Sequence, residues 1–248
     1  MSPRLPAAAR GFTMVELMVA MTLGLILTVV IGQVFVTSKE SYRTTEDLSR
    51  LQENARFAVT QMSRVIRMAA FMTDPLGNRA AIFPAGTPAV AGVDPGGTLA
   101  DEVTVRYQGS GAPDNTVFDC QGNALAGGIV AAGRFYLAAG ADGNSALFCE
   151  TGGGTIELVS GVDNMQVLYG EDTDADGTAN RYLPRGSVGN MDNVVSVRIA
   201  LLLRTTNEIA TAPAAAPYNL LGTAVPAFAD RRLRRVYTTT IALRNRTP

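Results

Sequence analysis

The sequence predicts an α+β protein in which one long N-terminal helix precedes a domain built on an antiparallel β-sheet. From Leu17 to Ser38, 22 consecutive residues carry no charge and most are apolar, enough for a helix to cross about 30 Å of hydrocarbon. Apolar residues then recur every three or four positions as far as Ala69, the pattern of an amphipathic helix. Beyond residue 100, short segments alternate polar and apolar residues, and no second long helical pattern follows, which favours an antiparallel sheet.

The apolar run begins beside one acidic residue, Glu16, which follows Arg10 and Gly11. A carboxylate inside a membrane span costs about 2.5 to 3.5 kcal/mol at the bilayer centre and is a functional candidate with a partner to be found. Near the end of the span the side chain can instead reach interfacial water. If the chain is cut after Gly11, Glu16 falls in the first turn of a helix beginning at Phe12, where the helix N-terminus favours an anion. The new amine of Phe12 is a further candidate partner.

The stretch Gly11-Phe12-Thr13-Met14-Val15-Glu16-Leu17 resembles the processing site of type IV prepilins and pseudopilins. The resemblance implies that residues 1–11 are a leader, that prepilin peptidase cuts after Gly11, and that the amine of Phe12 is methylated. It also implies that Glu16 pairs with the N-terminal amine of a neighbouring subunit during assembly. An ordinary secretory signal fits poorly, because its cleavage site would follow the apolar run and its run would be shorter.

Composition limits the chemistry of this 248-residue chain. It contains no histidine, which excludes a Ser-His-Asp or Cys-His arrangement and a histidine-containing zinc site. The formal net charge of −1 shows no basic excess, so no nucleic acid partner is expected. Arg4 and Arg10 precede the span, which predicts a cytoplasmic N-terminus and a periplasmic position for everything after Ser38. In a Gram-negative cell, Cys120 and Cys149 would then lie in an oxidising compartment.

The predicted helix has two halves. Residues 12–37 are apolar all round and are expected to lie in lipid or in the core of a filament, whereas residues 38–73 form a periplasmic amphipathic half. A strong helix stop begins at Asp74. The amphipathic stripe would pack on the sheet of its own subunit, and a coiled coil is the alternative. The stripe consists of Leu48, Leu51, Ala55, Ala58, Met62, Val65 and Ala69.

Residues 74–248 are predicted to form a globular β-rich domain. The Gly-, Ala- and Pro-rich stretch as far as Gly97 is interpreted as a surface linker or long loop. In the strand at 193–204, Val195, Val197, Ile199, Leu201 and Leu203 are expected on one face and Ser196, Arg198 and Arg204 on the other. Strands are predicted at 102–107, 134–137, 146–149, 156–159, 165–169, 193–204 and 236–243.

Cys120 and Cys149, 29 positions apart, are predicted to form a disulfide. The bridge would contribute about 3 to 4 kcal/mol in the chain-entropy model. Two free buried thiols are the alternative.

An acidic segment from Asp172 to Asn180 carries carboxylates at its first, third and fifth positions and a glycine at its sixth. Asp172, Asp174 and Asp176 match the opening ligands of a calcium loop; no cofactor is expected otherwise, and calcium is the one that the sequence leaves open. The closing glutamate is missing, because the twelfth position is Leu183. An Asp- and Gly-rich hairpin turn explains the same residues without metal.

Four arginines surround Leu233 in the segment Arg231-Arg232-Leu233-Arg234-Arg235. Contact with a membrane or with DNA would account for this cluster. The favoured interpretation is a sheet edge that the charges keep from aggregating.

The whole chain resembles the PilW family of type IV pilus minor pilins, which implies a type IV pilin-like fold. Beyond the N-terminus, the resemblance rests on Tyr169-Gly170-Glu171-Asp172, on 194–204, and on Arg234 to Ile241 followed by Leu243-Arg244-Asn245-Arg246. The family implies a non-enzymatic subunit that primes pilus assembly near the tip. Implied partners are prepilin peptidase, other minor pilins and the major pilin, a tip-associated adhesin and the inner-membrane assembly platform.

Three alternatives stay open. The nearest is a minor pseudopilin of the J type in a type II secretion system, which shares the N-terminus and the general architecture. A membrane-anchored periplasmic enzyme would need a catalytic constellation that the residues do not suggest. A calcium-dependent binding module carried on a pilus depends on the loop at Asp172.

Overall fold

A computed structural model describes residues 11–84, 86–114 and 116–246. It divides into two compact units between Glu46 and Asp47, and each is described by itself. The predicted leader, apart from Gly11, lies outside the described residues.

The N-terminal helix α1 runs from Met14 to Ile66. It begins two residues after Phe12, the expected start, because Thr13 caps it: the Glu16 N–H donates to Thr13 Oγ1 at 3.2 Å and the Leu17 N–H to the Thr13 carbonyl. In the first unit, residues 14–43 of this helix are all exposed.

Helix α1 ends seven residues before the predicted end at Thr73. After Ile66 the chain tightens into turns, in which the N–H of Met68 bonds the carbonyl of Val65 three residues back. Ala70 then adopts a left-handed conformation with φ of 62°, and its N–H donates to the Arg106 carbonyl instead of continuing the helix. A tertiary hydrogen bond to a strand therefore ends the helix before the Asp74-Pro75 stop.

The described residues of the second unit form a five-stranded sheet, a four-stranded sheet and a two-stranded hairpin, and all their strand pairs are antiparallel. The sheet orders are β1-β2-β3-β4-β5 and β11-β8-β6-β7, with β9 and β10 as the hairpin. The strands are β1 (Val90–Val93), β2 (Glu102–Gln108), β3 (Val130–Ala139), β4 (Ser145–Thr151), β5 (Gly154–Ser160), β6 (Val162–Glu171), β7 (Arg181–Leu183), β8 (Val194–Glu208), β9 (Tyr218–Leu220), β10 (Thr223–Val225) and β11 (Arg232–Ala242). The predicted α+β class is confirmed, and all seven predicted strands are present.

The amphipathic stripe of α1 packs in the main core of its own domain. Of the predicted stripe, Leu48 is half-buried and every other member is buried against side chains from both large sheets. The close approach needs a glycine, since a Cβ on Gly133 of β3 would lie 2.9 Å from Val65 Cγ1. The prediction that the stripe covers a sheet agrees with this packing, and the coiled-coil alternative does not.

Strand β8 is buried on both faces, which the alternation pattern did not predict. Val197, Ile199, Leu201 and Leu203 face the main core. On the opposite face, a second core joins Ala200 and Leu202 to residues of the β9–β10 hairpin, which covers this side of the four-stranded sheet.

The stretch from Pro75 to Gly97 is not only a linker. It contains the short helix α2 (Arg79–Ile82) and strand β1. Phe83 and Ala89 are buried against Ala70 in a small separate core. Short 3-10 turns also occur at Arg185–Ser187 and Met191–Asn193.

Candidate functional site

The predicted processing and assembly residues lie together at the start of α1. Gly11 and Phe12 precede the helix and are exposed, and Glu16 is exposed in its first turn. Among the described residues, no basic side chain pairs with Glu16. The predicted cleavage point is thus accessible, and the carboxylate is open to a partner from outside the described residues.

Thr13 has a role that the sequence interpretation missed. Its hydroxyl accepts the Glu16 N–H and caps the helix, so Thr13 and Glu16 have the spacing of a capping box. This Thr-x-x-Glu spacing is visible in the sequence and predicts the cap. It places Glu16 at a defined position one turn inside the helix, next to the free N–H groups that favour an anion.

The first unit exposes a large apolar surface of the helix, which is unfavourable in water. Residues such as Leu25, Ile26 and Phe35 are more than 60% exposed, and α1 is the one described helix long and apolar enough to cross a membrane. Burial of this surface requires lipid or other apolar helices.

The two cysteines are joined in a disulfide, as predicted, with their Cα atoms 6.5 Å apart. Cys149 lies in β4, in the interior of the five-stranded sheet, and is fully buried. Cys120 lies in the long connection between β2 and β3. The bridge therefore holds this connection against the sheet beside α1.

The structure brings Asp172, Asp174 and Asp176 together in the loop between β6 and β7, with one carboxylate oxygen of each within 4.8 Å of the others. Asp172 Oδ1 accepts the Ala175 N–H at 2.7 Å and Oδ2 accepts the Gly177 N–H at 2.8 Å. Burial acts to raise the pKa of Asp172, but these hydrogen bonds outweigh it and hold the pKa below its usual value.

This arrangement fits both interpretations of the acidic loop. Ligand oxygens 2.3 to 2.6 Å from a calcium ion would have spacings of this order, while the backbone hydrogen bonds account for Asp172 as a turn residue. Leu183, at the twelfth position, lies in β7 and supplies no carboxylate. Calcium binding stays a prediction.

The arginine cluster lies at the sheet edge, as expected, because β11 is an edge strand. Two of its arginines have partners within the chain: Arg231 forms an ion pair with Glu208, and Arg232 donates a hydrogen bond to the Thr206 carbonyl. Arg235 is exposed. Protection of the sheet edge by charge therefore does not explain all four arginines of the cluster.

Arg234 is a structural residue that the sequence interpretation missed. Its side chain is 1% exposed and pairs with Asp163 at 2.6 Å and Asp230 at 2.5 Å, and its guanidinium lies over the Phe228 ring. Because Asp163 lies 71 positions away, no local pattern signals the contact. A buried arginine with two carboxylate partners joins β11 to β6 rather than repelling other strands.

Comparison with known proteins adds two sequence matches. Residues 7–32 match the model of the prokaryotic N-terminal methylation motif, and residues 134–245 match that of type IV pilus-assembly protein W. The chain thus carries a PilW-type domain behind an N-terminal methylation motif, and these matches support a PilW-type pilin. The match to type IV pilus-assembly protein W includes the acidic loop, β8 and the arginine cluster, whereas Cys120 lies before the matched residues.

A solved structure shares the fold of this chain. A type IV-like pilin from Thermus thermophilus superposes with a TM-score of 0.51 at 14% sequence identity, covering 80% of this chain and 98% of the other. No curated protein matches the sequence. The family is structural rather than enzymatic, and the motif together with the apolar helix indicates membrane anchoring and association with a pilus.

Proposed function

We propose that this pilin is a minor subunit that primes assembly of a type IV pilus and lies near its tip. The observation that carries the proposal is the exposed apolar half of α1, headed by Glu16 and attached to a PilW domain. Such a helix can be stored in a membrane and then buried among the helices of other subunits.

Assembly would begin with processing. Prepilin peptidase would cut after Gly11, which is exposed ahead of the helix, and the new amine of Phe12 would be methylated. The helix would sit in the inner membrane in a single pass, with the domain in the periplasm. The disulfide supports this orientation, because disulfides persist in oxidising compartments.

Glu16 would then act in the helix bundle. A buried, unpaired carboxylate costs several kcal/mol, and no described residue of the chain neutralises it. The N-terminal amine of a neighbouring subunit would satisfy both charges and set the axial register of the two helices.

The proposed partners are those of pilus assembly: prepilin peptidase, other minor pilins, the major pilin, a tip-associated adhesin and the inner-membrane assembly platform. The exposed apolar half of α1 supports contact with helices of the same kind.

A J-type pseudopilin of a type II secretion system is the second candidate, since it would use the same N-terminus. Deletion of the gene separates the two. Surface pili counted by electron microscopy should fall sharply and recover on complementation, while secretion of a type II substrate into the medium stays unchanged. Normal piliation with lost secretion would reverse the assignment.

A further inference from the structure

A pocket of about 190 Å³ opens on the side of the four-stranded sheet that the β9–β10 hairpin covers. The segment 94–101, strand β6 and the hairpin line it. Its position is separate from the N-terminal helix and from the acidic loop.

One end of the pocket offers hydrogen-bond acceptors. Asp101 is 5% exposed; its Oδ2 accepts the Val167 N–H at 2.8 Å, and within the described residues its Oδ1 receives no hydrogen bond. Gln166, also buried, uses its amide nitrogen on the Leu99 carbonyl and on Asn164, while its Oε1 has no donor in the described part of the chain. Asp94 adds a second carboxylate to the lining.

Among the residues that the structure describes, no basic side chain forms an ion pair with Asp94 or Asp101. Burial raises the pKa of Asp101 to about 6, the Val167 N–H lowers it, and the Asp94 carboxylate raises it again. A buried carboxylate without a cationic partner costs free energy, so a bound cation with N–H donors would stabilise the site.

Part of the pocket lining is apolar. Leu168, Pro184 and Leu220 line the pocket together with the acceptors. A calcium ion prefers six to eight oxygen ligands, and these three side chains offer none. An aliphatic chain, in contrast, would pack against these apolar side chains. A terminal ammonium would bond the carboxylate and amide oxygens, because it carries three N–H donors and no acceptor.

We infer that this pocket binds an alkylammonium group on an aliphatic stem, as carried by a lysine side chain of another protein or by a free aliphatic amine. The inference does not depend on the pilus function, because binding is measured on the purified protein.

The full chain in detergent micelles, labelled for amide NMR, is titrated with n-butylammonium chloride. The Val167 N–H, which donates to Asp101, and the Gly96 N–H, which donates to Asp94 Oδ1, should shift saturably. Asp101→Asn keeps the acceptor for Val167 but removes the charge, and should weaken binding about tenfold or more, the effect of losing a charge-assisted hydrogen bond. Asp114→Asn, at an exposed position outside the pocket, is the matched control and should bind as the wild type does.

Neutral n-butanol and calcium chloride are the competing probes. Saturation of the same signals by n-butanol at equal concentration, or unchanged affinity in Asp101→Asn with a wild-type-like amide spectrum, would overturn the inference. Tighter binding of calcium at these amides would also overturn it. Nα-acetyl-lysine N-methylamide distinguishes the two sources: binding equal to n-butylammonium indicates a protein lysine, and binding tenfold weaker indicates a free amine.

Discussion

Glu16 lies in the first turn of the helix and is the residue proposed to form the charge pair between subunits. It is the first acidic residue of the chain and lies one turn inside a helix capped by Thr13. In the isolated chain its carboxylate is exposed and needs no further partner. Only burial among other helices makes an opposite charge necessary.

We therefore expect Glu16→Ala to be processed to the mature size but to support about tenfold fewer pili in a strain that carries only this variant, because loss of one buried charge pair exceeds 1.4 kcal/mol. Immunoblotting measures processing and electron microscopy measures piliation. Glu40→Ala, an exposed acidic position later in the same helix, is the matched control. Wild-type piliation in the Glu16 variant would contradict the charge-pair mechanism.

Asp101 predicts an unusual dependence of stability on pH. Its folded-state pKa of about 6 exceeds the ordinary 3.8, so folding favours the protonated form. The contribution of Asp101 to the free energy of unfolding is complete below about pH 4 and is lost as the pH rises through 6. Asp101→Asn should therefore be more stable than the wild type at pH 8, by up to about 3 kcal/mol, and nearly equal to it at pH 3.5.

Denaturant unfolding of the full chain in detergent, followed by circular dichroism, measures this difference. Asp142 provides a control of opposite sign, because hydrogen bonds from the Asn144 side chain and backbone lower its pKa to about 2. Asp142→Asn should lose stability relative to the wild type as the pH rises from about 2 to about 4, and the difference should then stay constant at higher pH. An Asp101→Asn difference that does not vary with pH would refute the burial argument.

At the scale of elements, the helix and the strands differed in how much of them was predictable. The stripe of α1 was predictable because its spacing of three and four residues is local, and every predicted position from Leu51 onward is buried. The end of the helix at Ile66 was not, because a hydrogen bond from Ala70 to Arg106 decides it. The second buried face of β8 depends on a hairpin more than 15 residues later in the chain.

The loop between β6 and β7 carries the calcium prediction. Titration of the full chain in detergent with Ca²⁺ by isothermal calorimetry should give saturable heat, because three carboxylate oxygens lie within 4.8 Å of one another. Asp174→Asn with Asp176→Asn should abolish the heat, while Asp142→Asn should retain it. Absence of heat in the wild type would leave the hydrogen-bonded turn as the full explanation of these aspartates.

For the molecule as a whole, the proposed processing would convert a membrane-anchored protein into a filament subunit. Gly11→Val should remain uncut and run as a precursor about 1 kDa larger on immunoblots, because a side chain at this position resembles no prepilin site. Gly24→Val is the matched control: a Cβ there meets no atom within 4 Å, so cleavage should proceed. A mature-sized Gly11→Val band would place cleavage elsewhere.

The apolar span, the N-terminal methylation motif, the amphipathic stripe and the α+β class were all predictable from the sequence, because each depends on residue types within a few positions of one another. Which polar groups are buried depends on the folded chain. Asp101 meets Val167 across 66 positions and Arg234 meets Asp163 across 71. Folding sets these distances, and burial gives Asp101 its raised pKa and Arg234 its need for two carboxylates. No local pattern encodes that desolvation.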